Sequence, residues 1–432
     1  MNDYYNFKCF LSTLRHPTYT KDGKDFQWSL DNMYRLDEYM GFPSKKLRYI
    51  HVAGTNGKGS TVSYLAAIFM RAGYKVGYYR SPQMFDISER FYINDKMITQ
   101  DEILEFYHKV CQYLEYYGAS ERDTKGLLVS YSEFFISLAF YYFASNEVDI
   151  VVLETGIGGL NDPTNIIEKP ELCIITSIGY DHINLLGNTL TEIAYQKSGI
   201  IKENVPVLLG HIDDIEVQKI IRKESVNKQS KLFLVDEFYD KLNNEEQILC
   251  EETGDVIGDY QKYNLQTVSC ALKILKKTWK ISLSFQDMLL TIQNAMQVTG
   301  LYGRWQIVNE SPKIIMDVAD NPMGLRVNFL QLERMLSLYH YEKLVLIITI
   351  TSEKKLSIKN YLPKHATYII TESRGYLTPK QIAEGLGVEG YLATSVQDAI
   401  NYYKKISSDK DLVYVGGSHY VVEEALQSFK QF

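Results

Sequence analysis

The chain has 432 residues, which is enough for two or three domains. Hydrophobic residues make up 45% of the chain and charged residues 23%, as is typical of a globular protein with a sizeable core. The net charge of −7, without any long Lys/Arg cluster, argues against a nucleic-acid-binding surface. No run approaches the roughly 18 apolar residues of a membrane span, and the first residues lack the basic and apolar parts of a secretion signal. We therefore expect a cytoplasmic protein that binds neither nucleic acid nor membrane.

The five cysteines are scattered and show no CxxC spacing. This pattern indicates a reducing compartment and favours neither a disulfide framework nor a zinc site. Cys173 and Cys270 lie in apolar runs, so we expect both to be buried thiols.

The predicted elements alternate between helices and strands. In the first part of the chain we expect helices at about 4–14, 29–40, 62–70, 98–117 and 129–144, a polar loop at 18–27, and strands at 47–50, 75–79, 148–153, 172–178 and 205–209. In the second part we expect strands at about 314–316, 344–348, 367–370 and 412–415, and helices at 324–338, 395–405 and 421–429. Alternation of this kind predicts a mainly parallel sheet, whose ligands bind beyond the carboxyl ends of the strands.

A glycine-rich stretch, His51 to Thr61, joins the predicted strand at 47–50 to the helix that follows. Strand, glycine-rich turn and helix in this order suit a nucleotide phosphate, because backbone N–H groups and the helix N-terminus supply positive potential. Lys58 would reach the outer phosphates, and Ser60 or Thr61 could place a hydroxyl on Mg²⁺. The alternative is a glycine-rich turn that only caps a helix.

The eight residues Gly-Thr-Asn-Gly-Lys-Gly-Ser-Thr within this stretch resemble the P-loop variant of the folylpolyglutamate synthase/dihydrofolate synthase branch of the Mur ligase superfamily. These enzymes are ATP-dependent ligases that join a carboxylate to an amino acid. The general P-loop pattern is met imperfectly, because Val52 stands at its first glycine and Gly59 follows its lysine. The residues that the resemblance assigns to the nucleotide here are Gly54, Thr55, Asn56, Gly57, Lys58, Gly59, Ser60 and Thr61.

The resemblance also implies the fold and the domain organisation. We expect an α/β protein in which a P-loop parallel-sheet ATPase domain is followed by a smaller doubly wound α/β domain. The first domain, residues 1–297, would bind ATP. The second, residues 298–432, would contact the nucleotide and the amino acid.

Several polar residues follow predicted strands and match metal-binding positions of the family. Glu154 ends a buried strand before a run of glycines, which by itself fits a Mg²⁺ ligand and a capped turn equally well. The resemblance implies that Glu154, Ser60 and Ser81 ligate Mg²⁺. It implies that His182, in the segment Asp-His-Ile-Asn-Leu-Leu-Gly, ligates a second Mg²⁺.

Lys197 lies in the segment Lys-Ser-Gly-Ile-Ile-Lys, where a lysine would ordinarily be a solvated surface charge. In the resembled family the matching lysine is typically carbamylated, which would give it an anionic oxygen for a metal. By this resemblance the catalytic residues are Lys58, His182 and Lys197.

Further matches lie in the second part of the chain. The resemblance places Asn264, of the segment Gly-Asp-Tyr-Gln-Lys-Tyr-Asn, beside the nucleotide. It directs Arg304 to the ATP phosphates and Asp317 to the ribose. Ser418, in a glycine turn near the end of the chain, would bind the amino acid.

The second domain departs from the family at Asp320. The family has Asp-Gly-Ala-His-Asn-Pro where this chain has Asp-Val-Ala-Asp-Asn-Pro at residues 317–322. The missing histidine helps to bind the incoming glutamate, so Asp320 takes its position in the substrate site. Asp320 would repel a substrate carboxylate, but it could accept a hydrogen bond from the substrate ammonium instead. Three outcomes stay open: the glutamate binds in a different pose, the amino acid is a different one, or this step is impaired.

The expected function is ATP-dependent addition of L-glutamate to a folate or pteroate through an acyl phosphate. The expected cofactors are ATP and two Mg²⁺ ions, with carbamylated Lys197, and the chain would act as a monomer on small-molecule substrates. Two alternatives stay open. One is a ligase of the same superfamily with a different acid or amine, and the other is a nucleotide-binding paralogue with little or no ligase activity.

Overall fold

The computed structural model describes residues 3–14, 29–117, 129–243, 245, 247, 258–372, 374 and 377–429. The polar loop predicted at 18–27, and Cys250, lie outside this part of the chain. The chain divides into two compact units, one formed by Met1–Leu249 and Asn264–Gly300, the other by Cys250–Tyr263 and Leu301–Phe432. The first unit thus runs to Gly300, beyond the expected boundary at 297. The assignment of an ATP-binding and a ligase domain stays a prediction.

The first unit combines an eight-stranded sheet with helices. Its strands are β1 (Tyr49–Ala53), β2 (Val76–Tyr79), β3 (Phe91–Ile93), β4 (Lys96–Met97), β5 (Ile150–Glu154), β6 (Leu172–Ile175), β7 (Val207–Leu209) and β8 (Leu232–Leu234). Its helices are α1 (Asp3–Thr13), α2 (Asp31–Tyr39), α3 (Lys58–Arg71), α4 (Gln100–Tyr116), α5 (Tyr131–Ser145), α6 (Ile183–Leu186), α7 (Leu190–Ser198), α8 (Ile215–Asn227), α9 (Val235–Phe238), most of α10 (Tyr260–Leu275), and α11 (Phe285–Val298). Short 3₁₀ helices lie at Pro43–Lys46, Ile87–Arg90, Pro163–Ile166 and Tyr239–Lys241.

The strand order in this sheet is β4-β3-β2-β5-β1-β6-β7-β8. Strands β2, β5, β1, β6, β7 and β8 are parallel, while β3 and β4 form an antiparallel edge. Strand β1 therefore lies between β5 and β6, and all three end at the same edge. The segments after β1, β5 and β6 carry most of the polar residues that the sequence singled out.

Every residue of β1 and β5 is buried, so both faces of this sheet are covered. One cluster combines residues of α1, α2, α4 and α5, such as Phe7, Phe106 and Phe134, with strand residues that include Val151. A separate cluster, on the same face of the sheet, combines strand residues with α7 and α8, including Ile193 and Ile221. A sheet buried on both faces explains why its central strands read as continuous apolar runs.

Local capping explains where several helices begin. In α4, α5 and α7 a Ser or Thr before the first turn accepts a hydrogen bond from the third helical residue, a glutamate, whose carboxylate reaches back to the cap. The caps are Thr99, Ser130 and Thr189. Such capping boxes satisfy N–H groups that a helix start leaves without an intrahelical partner.

The second unit contains a six-stranded sheet of order β13-β12-β11-β14-β10-β9. Its elements are β9 (Gln306–Glu310), β10 (Lys313–Asp317), α12 (Pro322–Leu338), β11 (Leu344–Ile348), a 3₁₀ helix (Glu353–Tyr361), β12 (Ala366–Thr371), α13 (Pro379–Leu386), β13 (Gly390–Ala393), α14 (Val396–Ile406), β14 (Leu412–Gly416) and α15 (His419–Phe429). All strands are parallel except β9, which pairs antiparallel with β10. Its core packs Phe329 and Leu332 of α12 against the strands.

The predicted α/β class with mainly parallel sheets is confirmed. The strand predicted at 47–50 is shifted, because β1 begins at Tyr49 and extends to Ala53. Helices α6, α8, α9, α10, α11 and α13, the parallel strands β8 and β13 and the antiparallel strands β3, β4 and β9 were not predicted. Cys173 and Cys270 are buried thiols, as expected. None of the described helices is long and apolar enough to cross a membrane.

Candidate active site

The turn after β1 is built around two glycines that no larger residue could replace. A Cβ atom at Gly54 would lie 1.9 Å from Thr176 Oγ1, and one at Gly57 would lie 2.3 Å from Asn264 Oδ1. Gly57 also has a φ of 86°, in the left-handed region, immediately before α3. The tight approach of Asn264 brings a residue that the resemblance assigns to the nucleotide against the predicted P-loop.

The segment after β6 holds this turn in place. Thr55 N–H donates to Ser177 O at 2.8 Å. The Thr55 hydroxyl donates to Gly179 O at 3.1 Å and accepts from Gly179 N–H at 3.0 Å. Asn56 O accepts hydrogen bonds from the hydroxyls of Thr176 and Ser177, at 2.6 and 3.0 Å. The turn after β1 is therefore held in one conformation by hydrogen bonds with the segment that follows the neighbouring strand β6.

Two lysine ammonium groups meet at the carbonyl oxygen of Gly54. Lys58 Nζ lies 3.0 Å from Gly54 O and 3.1 Å from Thr55 O, and Lys197 Nζ lies 2.7 Å from Gly54 O. Lys197 is only 4% exposed, so its interpretation as a solvated surface charge is wrong. Burial, with the neighbouring positive charge of Lys58, lowers the pKa of Lys197 to about 7.

Helix α3 starts at this turn with Lys58 and Gly59. The first N–H groups of a helix have no intrahelical partner, and together with the helix dipole they favour an anion. The hydroxyl of Thr61 is fully buried and has no hydrogen-bond partner within the described part of the chain. Ser60 is also buried, at 1% exposure. These donors and the glycine turn fit the binding of a nucleotide phosphate. A turn that only capped a helix would not require them.

The predicted metal ligands Ser81 and Glu154 lie together. Glu154 is the last residue of β5 and is 3% exposed, and its Oε2 lies 3.4 Å from Ser81 N, in the segment after β2. A buried carboxylate near a serine offers the kinds of oxygen donor that Mg²⁺ prefers.

His182 follows β6 and precedes α6 in the left-handed conformation, with a φ of 47°. Its side chain is 42% exposed, and its Nε2 lies 3.8 Å from Asp181 Oδ2. No group of three or more His, Cys, Asp or Glu side chains among the described residues could hold a metal by itself. The ligand set Ser60, Ser81, Glu154 and His182 stays a prediction.

A buried carboxylate that the sequence analysis missed shapes the turn after Glu154. Asp162 accepts hydrogen bonds from the backbone N–H groups of Gly156 and Ile157 on one oxygen, and from Thr164 N–H and Oγ1 on the other. Burial raises the pKa of the Asp162 carboxyl group, and these four donors oppose the rise. Its only sequence signal is its position three residues after Gly159, the last glycine of the segment that follows β5.

In the second unit, Asp317 holds three segments together. Its Oδ2 accepts from Tyr260 OH at 2.6 Å and from Trp305 N–H at 2.7 Å, and its Oδ1 accepts from Ala319 N–H at 2.8 Å. The side chain of Arg304, next to Trp305, lies 3.2 Å from Gly303 O. The expected contact of Asp317 with a ribose stays a prediction, and these three donors already use much of its capacity as an acceptor.

The two residues assigned to the amino acid follow strands of the second unit. Asp320 is half-buried and lies between β10 and α12, and Asn321 caps α12 by accepting a hydrogen bond from Gly324 N–H. Ser418 is 2% exposed, follows β14 and accepts from Tyr420 N–H at 3.3 Å. Because β10 and β14 are parallel neighbours, both residues follow strands that end at the same edge.

Known proteins resemble this chain over much of its length. The model of the Mur ligase middle domain matches residues 131–279. The dihydrofolate synthase/folylpolyglutamate synthase of Bacillus subtilis (strain 168) is 34% identical over 317 residues, which cover 68% of this chain and 70% of the relative. The chain belongs to the folylpolyglutamate synthase/dihydrofolate synthase family. The resemblance first suggested by the glycine-rich stretch is thereby confirmed.

Solved structures share the fold of this family member. E. coli FolC in complex with DHPP and ADP superposes with a TM-score of 0.77 at 22% identity, over 99% of this chain and 97% of FolC. The bifunctional folylpolyglutamate synthase/dihydrofolate synthase of Yersinia pestis c092, complexed with AMPPNP and a Mn ion, gives a TM-score of 0.78 at 24% identity, over 99% and 98% of the chains. These likenesses show the fold, whereas the roles of individual residues in this family member, its monomeric state and its cytoplasmic location stay predictions.

Proposed function

We propose that this chain uses ATP to activate the carboxylate of a folate or pteroate as an acyl phosphate, which the amine of glutamate then attacks. As a member of its family, the chain is an ATP-dependent ligase that adds glutamate. The observation that carries the proposal for this site is the convergence of Lys58 and Lys197 on Gly54 O, inside a glycine turn at the edge of a parallel sheet.

Residues 54–61 would hold the phosphates of ATP. The N–H groups at the start of α3 would contact phosphate oxygens, and Lys58 would exchange the two carbonyl oxygens that it now contacts for the outer phosphates. Asn264 would lie beside the nucleotide, because its side chain already contacts the turn at Gly57.

The donor set at Ser60, Ser81, Glu154 and His182 would hold Mg²⁺. Bound there, Mg²⁺ neutralises charge that accumulates on the transferred phosphoryl group. The protein's own contribution is to bury Glu154 beside Ser81, which fixes a carboxylate as an oxygen donor at the end of β5.

Lys197 fits carbamylation because its pKa is about 7. Only the neutral amine attacks CO₂; the new N–C bond gives a carbamate, and the nitrogen releases its extra proton. The product is an anion, so it would relieve the repulsion between Lys197 and Lys58 and supply an oxygen donor to a metal.

In the second unit, Arg304 would contact ATP phosphates and Asp317 the ribose, while Asp320 and Ser418 would bind the amino acid. A second candidate function is a ligase of the same superfamily that uses a different amine. The half-buried Asp320 favours it, because a carboxylate selects for a cationic group and against a substrate carboxylate.

The experiment is a measurement of ADP release by the purified full chain with Mg²⁺-ATP. Dihydropteroate or tetrahydrofolate is supplied, with and without glutamate, and the other amino acids are supplied in parallel. ADP release that needs the pteridine acid and glutamate supports the proposal. Release that needs another amino acid supports the second candidate, and nucleotide binding without turnover on any pair would contradict both.

A further inference from the structure

A buried hydrogen-bond chain leads from the strand before the glycine turn to the segment after Glu154. His51 lies in the middle of β1, and its Nε2 is 2.9 Å from Thr164 Oγ1. Thr164 Oγ1 in turn donates to Asp162 Oδ1 at 2.5 Å. His51 and Thr164 are fully buried and Asp162 is 3% exposed. None of these three residues has a role in the function proposed above.

The direction of this chain follows from its donors. Four hydrogen bonds converge on the two oxygens of Asp162, and three of them come from backbone N–H groups, which can only donate. These three donors favour the carboxylate over the carboxyl group, and a carboxylate accepts the single hydroxyl proton of Thr164. Thr164 Oγ1 then accepts from His51, which must carry its proton on Nε2.

The surroundings of the ring agree with this tautomer. His51 Nδ1 is buried and has no hydrogen-bond partner among the described residues. Burial, followed by the positive charge of Lys202, holds the pKa of the imidazole well below its usual value. The ring therefore stays neutral, with Nε2 as its donor.

The other end of the chain controls the turn after β5. Asp162 Oδ2 accepts from the N–H groups of Gly156 and Ile157, each at 2.9 Å. Thr155 N–H is held by Val52 O, also at 2.9 Å. The backbone immediately after Glu154 is thus fixed at three successive N–H groups, and so is the direction in which the strand presents its last side chain.

We propose that His51 and Thr164 are positioning residues for the metal-binding edge. His51 orients the hydroxyl of Thr164 towards Asp162, and Asp162 fixes the turn that sets the position of the Glu154 carboxylate. The inference rests on the proposed function, in which Glu154 holds Mg²⁺. It predicts that metal affinity depends on a hydroxyl that never contacts the metal.

The test compares Thr164→Val, which removes the hydroxyl at nearly constant shape, with Thr164→Ser, which keeps it. Binding of Mn²⁺ to the full chain with saturating ADP is measured by electron paramagnetic resonance. Loss of a direct partner of a metal ligand costs about 10- to 100-fold in affinity. Thr164 acts one step further out, through Asp162, so we expect the lower end of this range, about a tenfold loss, for Thr164→Val and less than about twofold for Thr164→Ser. Ser225→Ala, which removes a buried hydroxyl bonded within α8, serves as the control and should leave the affinity unchanged.

Nitrogen-15 NMR of labelled histidine supplies a readout independent of metal and turnover. The His51 signals, assigned by their loss in His51→Gln, should show the Nε2–H tautomer in the wild type and in Thr164→Ser. The Nδ1–H tautomer in the wild type would overturn the inference, even if Thr164→Val did not fold.

The binding data separate the two levels of the proposal. A wild type that binds Mn²⁺ and ADP, with Thr164→Val equally tight, overturns only the role of His51 and Thr164. A wild type that neither binds Mn²⁺ nor releases ADP overturns the proposed function and this role with it.

Discussion

Lys58 and Lys197 donate hydrogen bonds to the same carbonyl oxygen, that of Gly54, at 3.0 and 2.7 Å. Two ammonium groups that share one acceptor repel each other, and the buried one has no water to stabilise its charge. Lys197 is the buried member, and its pKa accordingly falls to about 7. The glycine turn is therefore contacted by an amine, that of Lys197, which is partly neutral near physiological pH.

The first prediction concerns stability. The pKa of Lys197 is about 7 in the folded chain and about 10.5 when unfolded, so between these values the unfolded chain binds more protons. The free energy of unfolding therefore rises with pH in this window. Below pH 7 Lys197 is protonated in both the folded and the unfolded chain, so the folded chain bears the full free-energy cost of burying its charge. Relative to Lys197→Met, the wild type should gain about 1 kcal/mol per pH unit between pH 7 and 9 in urea denaturation.

The control for this measurement is Lys219→Met. Lys219 lies on α8, its side chain is 63% exposed, and it pairs with Glu216. Its substitution should leave the pH dependence between pH 7 and 9 unchanged. If the free energies of unfolding of the wild type and Lys197→Met changed equally with pH between pH 7 and 9, the Lys197 ammonium would not be destabilised by burial.

The second prediction concerns carbamylation. A pKa of about 7 leaves Lys197 largely neutral at pH 8, whereas an ordinary lysine with a pKa of about 10.4 is almost entirely protonated. With ¹³C-bicarbonate at pH 8, we expect one carbamate signal in the NMR spectrum of the full chain, weaker at pH 6. The signal should be missing in Lys197→Met. Persistence of the signal in that variant would assign the carbamate to another amine.

The third prediction concerns Lys58. In Lys58→Ala we expect ADP release to fall below detection while the circular dichroism spectrum and melting temperature stay close to the wild type. The reason is that Lys58 is half-buried and donates to two loop carbonyl oxygens in the folded chain, whereas it would contact phosphates during turnover. Lys262→Ala, an exposed lysine of α10, is the matched control. Undiminished turnover of Lys58→Ala would remove the P-loop assignment.

The sequence predicts much of the fold because its central strands are continuous apolar runs and its glycines mark a tight turn. It also places Gly54, Ser81, Glu154 and Ser418 at the ends of strands. What it cannot reveal are pairings across long separations in the chain. The contact of Lys197 with Gly54, and that of His51 with Thr164, depend on which strands are neighbours.

Polar residues in the interior were missed for the same reason. Asp162, Thr176 and Tyr260 have ordinary sequence surroundings, and their importance lies in the partners that the fold brings to them. The antiparallel strands β3, β4 and β9 were missed because each is short or only partly buried, so periodicity gives a weak signal.

The fourth prediction concerns Tyr260. Its hydroxyl donates to Asp317 at 2.6 Å, and burial with the Asp317 carboxylate raises its pKa well above the usual value. Tyr260→Phe should lower the free energy of unfolding of the full chain by about 1–3 kcal/mol, because a hydrogen bond to a charged group is lost. Tyr361→Phe, at an exposed tyrosine of the same unit, should change it by less than about 0.5 kcal/mol. Equal effects of the two changes would show that the Tyr260 hydroxyl contributes nothing through Asp317.

The last prediction concerns Asp320, which stands where the family has a histidine. A carboxylate about 4 Å from a substrate carboxylate costs about 4 kcal/mol at an effective dielectric constant of 20, and about 1 kcal/mol in water. If glutamate binds with its carboxylate towards residue 320, Asp320→His should lower the KM for glutamate by about 5- to 1000-fold at unchanged KM for ATP. Asp320→Asn removes the charge at similar shape and should show part of the same gain.

The opposite outcome has an equally definite meaning. If Asp320 accepts a hydrogen bond from the substrate ammonium, both substitutions raise the KM for the amino acid, because an attraction is lost. Asp320→Asn then loses affinity for every amine that the wild type uses, while the KM for ATP stays constant. The sign of the change in KM therefore tells whether residue 320 faces the carboxylate or the ammonium of the substrate.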